Sequence, residues 1–227
     1  MKILGKLFGS EARVKILRLF LFNPNGVFEN AEIASRARVY SSTARREVAL
    51  MSRIGLVKRK TLFREVKKKS TGGYVAKRER RVGWALNEKF PYLHQLQSFL
   101  MSLVPLREND ILRRLGKAGK LKLVVIAGIL TQDADSRVDL LIVGDELKRP
   151  LLEVAIKRIE SELGTELRYA AFSTSEFEYR LNVYDKLIRD VLDYPHQKVI
   201  DRMNISSAMQ QRPLAVEDTQ TALLPPR

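Results

Sequence analysis

Residues 29–60 read ENAEIASRARVYSSTARREVALMSRIGLVKRK. Two apolar spacings lie in it. Ala31, Ile33 and Ala34 predict a short helix. Ala44, Val48, Met51 and Ile54 fall at i, i+4, i+7 and i+10, one stripe of a second helix. Its opposite face carries Ser42, Arg45, Arg46, Ala49 and Arg53, with Thr43 beside them. Small side chains and arginines suit a helix that enters a major groove and reaches phosphates or guanine edges. The hydroxyl of Ser41 is the expected cap. Gly55 is the expected stop, because it tolerates the left-handed backbone of helix ends. The same pattern also describes a core helix with a solvated basic face, and spacing alone does not separate the two.

Upstream, residues 10–22 predict a helix capped by Ser10, with Val14, Leu17 and Leu21 on one stripe and Ile16 and Phe20 beside it. Asn23-Pro24-Asn25-Gly26 is a turn, and Val27-Phe28 fits a very short strand. Downstream, residues 56–63 mix β-branched and aromatic residues with cations and read as a strand. Residues 82–86 (VGWAL) read as its return partner. Between them, residues 64–81 are poor in large apolar side chains. They carry Lys67, Lys68, Lys69, Lys77, Arg78, Arg80 and Arg81 around Gly72-Gly73, and a lysine-rich loop disordered without a partner is expected.

Three helices and a two-stranded hairpin form the winged helix-turn-helix plan. Glu32-Ile33-Ala34, residues 42–48 (STARREV) and Ile54-Gly55-Leu56-Val57 resemble the winged-helix domains of ArsR-like and MarR-like regulators across residues 8–87. The resemblance implies that the second inner helix reads double-stranded DNA. It also implies that the lysine-rich segment is a wing touching phosphates or the minor groove, and that the chain forms a homodimer. Arg38 stands in the inter-helix turn, where such families often place glycine.

The net charge of +15 supports that reading by its location. Residues 1–90 hold 22 Lys and Arg against 7 Asp and Glu, whereas residues 91–227 hold 19 of each. A one-sided cationic excess is the electrostatic counterpart of a phosphate backbone. Cysteine is absent, which excludes disulfides and thiolate chemistry and fits a reducing, cytoplasmic setting. The first 22 residues resemble a signal sequence at a glance. Glu11, Arg13, Lys15 and Arg18 interrupt it, and no apolar run approaches the ~20 residues of a membrane span.

Residues 90–119 predict a helical linker of two helices separated by Pro105. Leu93, Leu96, Phe99, Leu100 and Leu103 are expected inside the first, and Ile111, Leu112 and Leu115 inside the second; the pair joins domains or makes a dimer contact. Residues 120–203 predict a small α/β unit. It has strands at 121–126, 138–144 and 165–173, a helix at 147–163 with Leu151, Leu152, Ala155, Ile156 and Ile159 on its stripe, and one long helix at 176–194. Residues 128–129 and the run SRVDLLIVGD (136–145) resemble the nucleotidyltransferase fold of the DNA polymerase beta superfamily. That family needs serine after the glycine and paired aspartates that hold two Mg²⁺ ions. Here Ile129 replaces the serine, Arg137 replaces the first aspartate, and only Asp139 matches. A cation in a ligand position repels a divalent metal, so neither metal nor cofactor nor catalysis is expected. Asp133 and Asp135 read as a polar turn. Gly128, Arg137, Asp139 and Arg168 form a candidate anion pocket for a nucleotide effector; alternatively, Asp139 is a buried carboxylate paired with Arg137 or Arg168. Arg189 and His196 are spaced like the pair of HEPN ribonucleases, but the four-helix bundle pattern is missing. His94 has no ligand-spaced companion. Residues 204–227 read as a disordered tail.

These readings combine into an α+β protein: a winged helix-turn-helix over 1–89, the linker, and a degenerate nucleotidyltransferase-like unit. The expected function is DNA-binding transcriptional regulation with a sensor or scaffold domain. An active nucleotidyltransferase targeted by the winged helix, and an antitoxin-like partner of a toxin, are the alternatives.

Overall fold

The computed structural model describes residues 2–70, 73–103, 108–131 and 136–205, with side chains excluded for residue 2 and for those within 66–77. Asp133, Asp135 and the tail beyond residue 205 lie outside the described residues, as do the side chains of Lys67, Lys68, Lys69 and Lys77. The chain is a mixed α/β protein with a three-stranded and a four-stranded sheet among the described residues.

The first core is built mostly by helices. The sequence pattern did not reveal α1 (Lys2–Leu7), because among its described large apolar side chains only Leu4 is buried while Ile3 and Leu7 are exposed. In α2 (Glu11–Leu21), Ser10 caps as expected, accepting from the Arg13 N–H at 3.2 Å. β1 (Val27–Phe28) leads into α3 (Asn30–Ala37), which buries Ile33, Ala34 and Ala37. The turn to α4 (Ser41–Arg53) passes through Arg38 in the left-handed region, at φ 52° and ψ 52°. A side chain there costs about 1 kcal/mol that glycine avoids. Arg38→Gly should therefore raise the urea midpoint modestly with an unchanged slope. A lowered midpoint would mean that the arginine side chain itself supports the turn.

In α4, Ala44, Val48 and Met51 are buried. Two details differ from the sequence reading. The cap residue is Tyr40, whose carbonyl accepts from the Ala44 N–H at 2.9 Å; Ser41 is already helical and makes no cap. Ile54 is 56% exposed, because it follows the last helical turn and Leu56 takes the core position instead. Gly55, at φ 79°, ends the helix as expected.

β2 (Val57–Ser70) and β3 (Gly73–Leu86) pair without interruption from Val57↔Leu86 to Ser70↔Gly73. The expected loop over 64–81 is thus strand, apart from residues 71–72, which are not described. The register explains how so basic a segment can pair. Every cation faces a neutral or acidic residue: Lys58↔Ala85, Arg59↔Trp84, Lys60↔Gly83, Leu62↔Arg81, Phe63↔Arg80, Arg64↔Glu79, Glu65↔Arg78, Val66↔Lys77, Lys67↔Ala76, Lys68↔Val75 and Lys69↔Tyr74. Like charges directly opposite would destabilise the ribbon, and none occur. Arg59 also stacks on the Trp84 ring, 5.4 Å from its centroid.

The segment read as a linker divides between two cores. α5 (Leu93–Ser102) gives Leu93 and Leu100 to the first core, while Phe99 and Leu103 are exposed rather than inward. α6 (Glu108–Leu115) gives Ile111 and Leu115 to the second. The second sheet comprises β4 (Lys120–Ile126), β5 (Leu140–Asp145), β6 (Tyr169–Phe172) and β7 (Gln197–Asp201), in the order β6-β5-β4-β7. Helix α7 (Arg149–Leu163) crosses between the parallel strands β5 and β6. Val124, Ile126, Leu140 and Ile142 pack with α6 and α7. Their alternates Leu123, Val125, Leu141 and Val143 pack with Phe177, Ile188, Val191 and Leu192. Burial on both faces is why these strands read as continuous apolar runs. Leu151, expected on the α7 stripe, is 44% exposed.

The long helix expected at 176–194 is two helices, α8 (Thr174–Asn182) and α9 (Lys186–Asp193). Tyr184 takes a left-handed backbone at φ 55°, and the Asp185 carboxylate starts α9 by accepting from the N–H groups of Leu187 and Ile188. β7 was not foreseen.

The two cores meet along α2, α3 and α7. Gly164 caps α7 at φ 85°, and a Cβ there would lie 2.5 Å from the backbone of Arg18. Fully buried Arg18 donates to the carbonyls of Glu162 (2.9 Å), Leu100 (3.3 Å) and Leu103 (2.7 Å). Asn23 donates to Leu19 O and Gly164 O, both at 2.7 Å. One cation and one amide thus serve carbonyls at the C-terminal ends of α5 and α7. Among the described residues, no helix is long and apolar enough to cross a membrane.

Candidate nucleic-acid interface

The exposed face of α4 carries the residues that the pattern assigned to it. Ser42, Arg45, Arg46, Ala49 and Arg53 are exposed, and Thr43 is half-buried. The inner face is fixed by apolar burial and by one ion pair that the sequence did not announce. Glu47 is almost fully buried and accepts from Arg13 Nε at 2.8 Å, and Arg13 also donates to Phe8 O at 2.7 Å. This contact holds α4 against α2. Among the described residues, Arg45, Arg46 and Arg53 pair with no carboxylate, so three cations on one helical face have no internal counter-charge.

The hairpin is tied to the end of α4. The Asn87 side chain donates to Gly55 O at 2.8 Å, the Asn87 N–H to Leu56 O at 2.9 Å, and the Leu56 N–H to Met51 O at 2.9 Å. From that anchor each strand runs 14 residues, roughly 45 Å at ~3.3 Å per residue. Residues 57–86 hold eleven Lys and Arg against two Glu. Arg78, Arg80 and Arg81 are exposed. Arg81 contacts Glu79 at 2.8 Å, and Arg78 lies 3.7 Å from Glu65, its register partner. These two glutamates are the hairpin's only carboxylates. Two aromatic residues are exposed here, Tyr40 (85%) at the start of α4, which the sequence reading passes over, and Phe63 (70%) on β2, which it places in the strand. Their signal was local, a lone aromatic ring beside cations and away from any apolar stripe.

At the second candidate site Asp139 is the buried carboxylate of the alternative reading, paired with Arg168 rather than open to an anion. Asp139 is buried, and its carboxylate accepts from Ile129 N–H (3.1 Å), Arg168 N–H (2.8 Å), Arg168 Nε (3.2 Å) and Arg168 Nη2 (3.0 Å). Hydrogen bonding to Asp139 raises the Arg168 pKa further. Gly128, at φ 57°, is required here because a Cβ would lie 2.1 Å from Asp139 Oδ1. Arg137 does not join them. Its side chain is 63% exposed and pairs with Asp190 at 3.1 Å. Gly128, Asp139 and Arg168 therefore form a closed knot of hydrogen bonds rather than a pocket with two free arginines. Arg189 lies 3.8 Å from Asp193, and the His196 ring nitrogen contacts Tyr194 O at 2.9 Å. Among the described residues, no three His, Cys, Asp or Glu side chains cluster to hold a metal.

No family model, no curated protein and no solved structure matches this chain.

Proposed function

We propose that the chain is a DNA-binding transcriptional regulator of winged helix-turn-helix type, with α4 as its reading helix and the β2–β3 hairpin as its wing. The observation that carries this reading is the exposed Ser42/Arg45/Arg46/Ala49/Arg53 face, uncompensated by carboxylates and anchored to a hairpin of strong positive charge. Arginines without internal partners are available to phosphates and guanine edges. Lys67, Lys68, Lys69, Lys77, Arg78, Arg80 and Arg81 add backbone contacts. In this reading the C-terminal unit is a degenerate nucleotidyltransferase-like scaffold or sensor without catalytic activity. Support comes from Asp139, whose two oxygens already accept four hydrogen bonds. The chain acts as a homodimer in the cytoplasm. Ile3 and Leu7, one turn apart on α1, and Met101 on α5 are exposed apolar side chains that a second copy would cover.

The test is selection of bound fragments from a genomic pool, followed by anisotropy titration across salt concentrations. Affinity should fall steeply with salt. Replacing both Arg45 and Arg46 by alanine should weaken binding by roughly 100-fold while leaving the fold intact. Mass photometry of the complex should count two chains per site. Equal, weak binding by wild type and double variant would end the reading-helix assignment.

A further inference from the structure

The seam between the two cores contains a cleft of about 380 Å³, within the range of small-molecule sites. It is lined from three sides: Lys15 and Leu19 of α2, residues 35–38 at the end of α3, and Lys157, Glu160 and Ser161 of α7 with residues 164–166 just beyond it. Its carboxylates are already engaged. Glu160 accepts from the Leu167 N–H at 2.9 Å, and Glu166 pairs with Arg36 at 2.6 Å. Arg36 is occupied by Glu166 and by Glu32 at 3.1 Å. Lys15, Arg38 and Lys157 remain, and among the described residues none of them makes an ion pair. Lys15 is half-buried, and burial lowers its pKa against the opposing pull of Glu162 and Glu11, with Arg114 and Arg38 adding smaller downward effects. Three elements thus each line the hollow with one cation, and the burial of Lys15 is a cost that an anion would relieve. Leu19 and Ala37 supply apolar wall, and Thr165 a hydroxyl.

We propose that this cleft binds a small phosphorylated polyanion, held by Lys15, Arg38 and Lys157. Multiple charges on one molecule match cations presented from three directions, and phosphate oxygens accept from lysine and arginine alike. The position gives the ligand leverage. Arg38 is the left-handed residue of the α3–α4 turn, three residues before α4, so the bound anion joins α7 to the segment that orients α4. Regulation of DNA affinity through Arg38 rests on the DNA-binding reading; the binding site itself does not.

The experiment is calorimetric titration of the full chain with pyrophosphate at low ionic strength, without DNA. One saturable site per chain is expected. Lys157→Gln, at an exposed position that leaves the fold intact, should weaken it by roughly tenfold, and Lys15→Gln with Lys157→Gln by more. Lys186→Gln on α9, away from the cleft, should leave the affinity unchanged. No saturable binding would overturn the site, as would equal losses in the Lys157 and Lys186 variants, which would report diffuse charge attraction. An anisotropy titration of DNA with and without pyrophosphate then reads the regulation. A shifted affinity supports it, and an unshifted one overturns it while the calorimetric site stands. A chain that binds pyrophosphate but no DNA refutes the DNA reading alone.

Discussion

Arg18→Ala should destabilise the protein by about 3 kcal/mol or more, read as a large drop in the urea midpoint. The guanidinium is fully buried, and it serves carbonyls of Glu162, Leu100 and Leu103 that come from α7 and from the end of α5. Burial pulls its pKa down to about 10, which leaves it cationic at neutral pH. Removing it leaves three carbonyls without their donor and opens a void between the two cores. Arg18→Met fills much of the void but restores no donor, so it should recover only part of the loss. Full stability in the methionine variant would show that packing, not hydrogen bonding, is what Arg18 provides. Protease sensitivity of residues 100–103 should rise in both variants, because the end of α5 loses its tether.

Asp139→Asn should cost about 2–4 kcal/mol, despite a near-identical shape. Both carboxylate oxygens face donors, from Ile129, from the Arg168 backbone and from the Arg168 guanidinium. An amide turns one of these acceptors into a donor and removes the charge opposite Arg168. The measurement is urea unfolding followed by circular dichroism, together with incubation of wild type with Mg²⁺ and labelled nucleotides. The expected pair of results is a lowered midpoint in the variant and no nucleotide transfer by wild type. Transfer by wild type, abolished in a variant of unchanged stability, would make Asp139 a catalytic carboxylate and reverse the proposed role of the C-terminal unit.

What the sequence disclosed depended on how local each cause is. The helices around Gly55 were legible because Ala44, Val48 and Met51 repeat at helical spacing and a glycine closes them. β4 and β5 were legible because burial on both faces leaves unbroken apolar runs. The break between α8 and α9 was hidden, since Phe177, Leu181, Tyr184, Leu187 and Ile188 keep a helical period straight through it. Asp185, a capping residue just ahead of an apolar run, was the available sign. The extent of the hairpin was masked by its lysines, whose strand pairing depends on what stands opposite. Arg18 could not be read at all, because its partners lie 82 or more residues away. Nor did the sequence distinguish Arg137 from Arg168: it is the parallel pairing of β5 with β6 that sets Arg168 against Asp139 and leaves Arg137 to Asp190.

Among the described residues the hairpin ribbon is two strands wide beyond its base, because β1 covers β3 only at Ala85 and Trp84. The outer edges therefore present unpaired backbone N–H and C=O groups over most of their length, a template on which another ribbon can grow. Clustered lysine and arginine oppose that growth by mutual repulsion between copies. In the DNA-binding reading proposed above, the basic charge of the arm is then a gatekeeper against self-assembly as well as an attraction for polyanions. A change that neutralises those cations, such as lysine acetylation, would release the edge as it weakens the grip, so the free chain would trade one partner for another of its own kind.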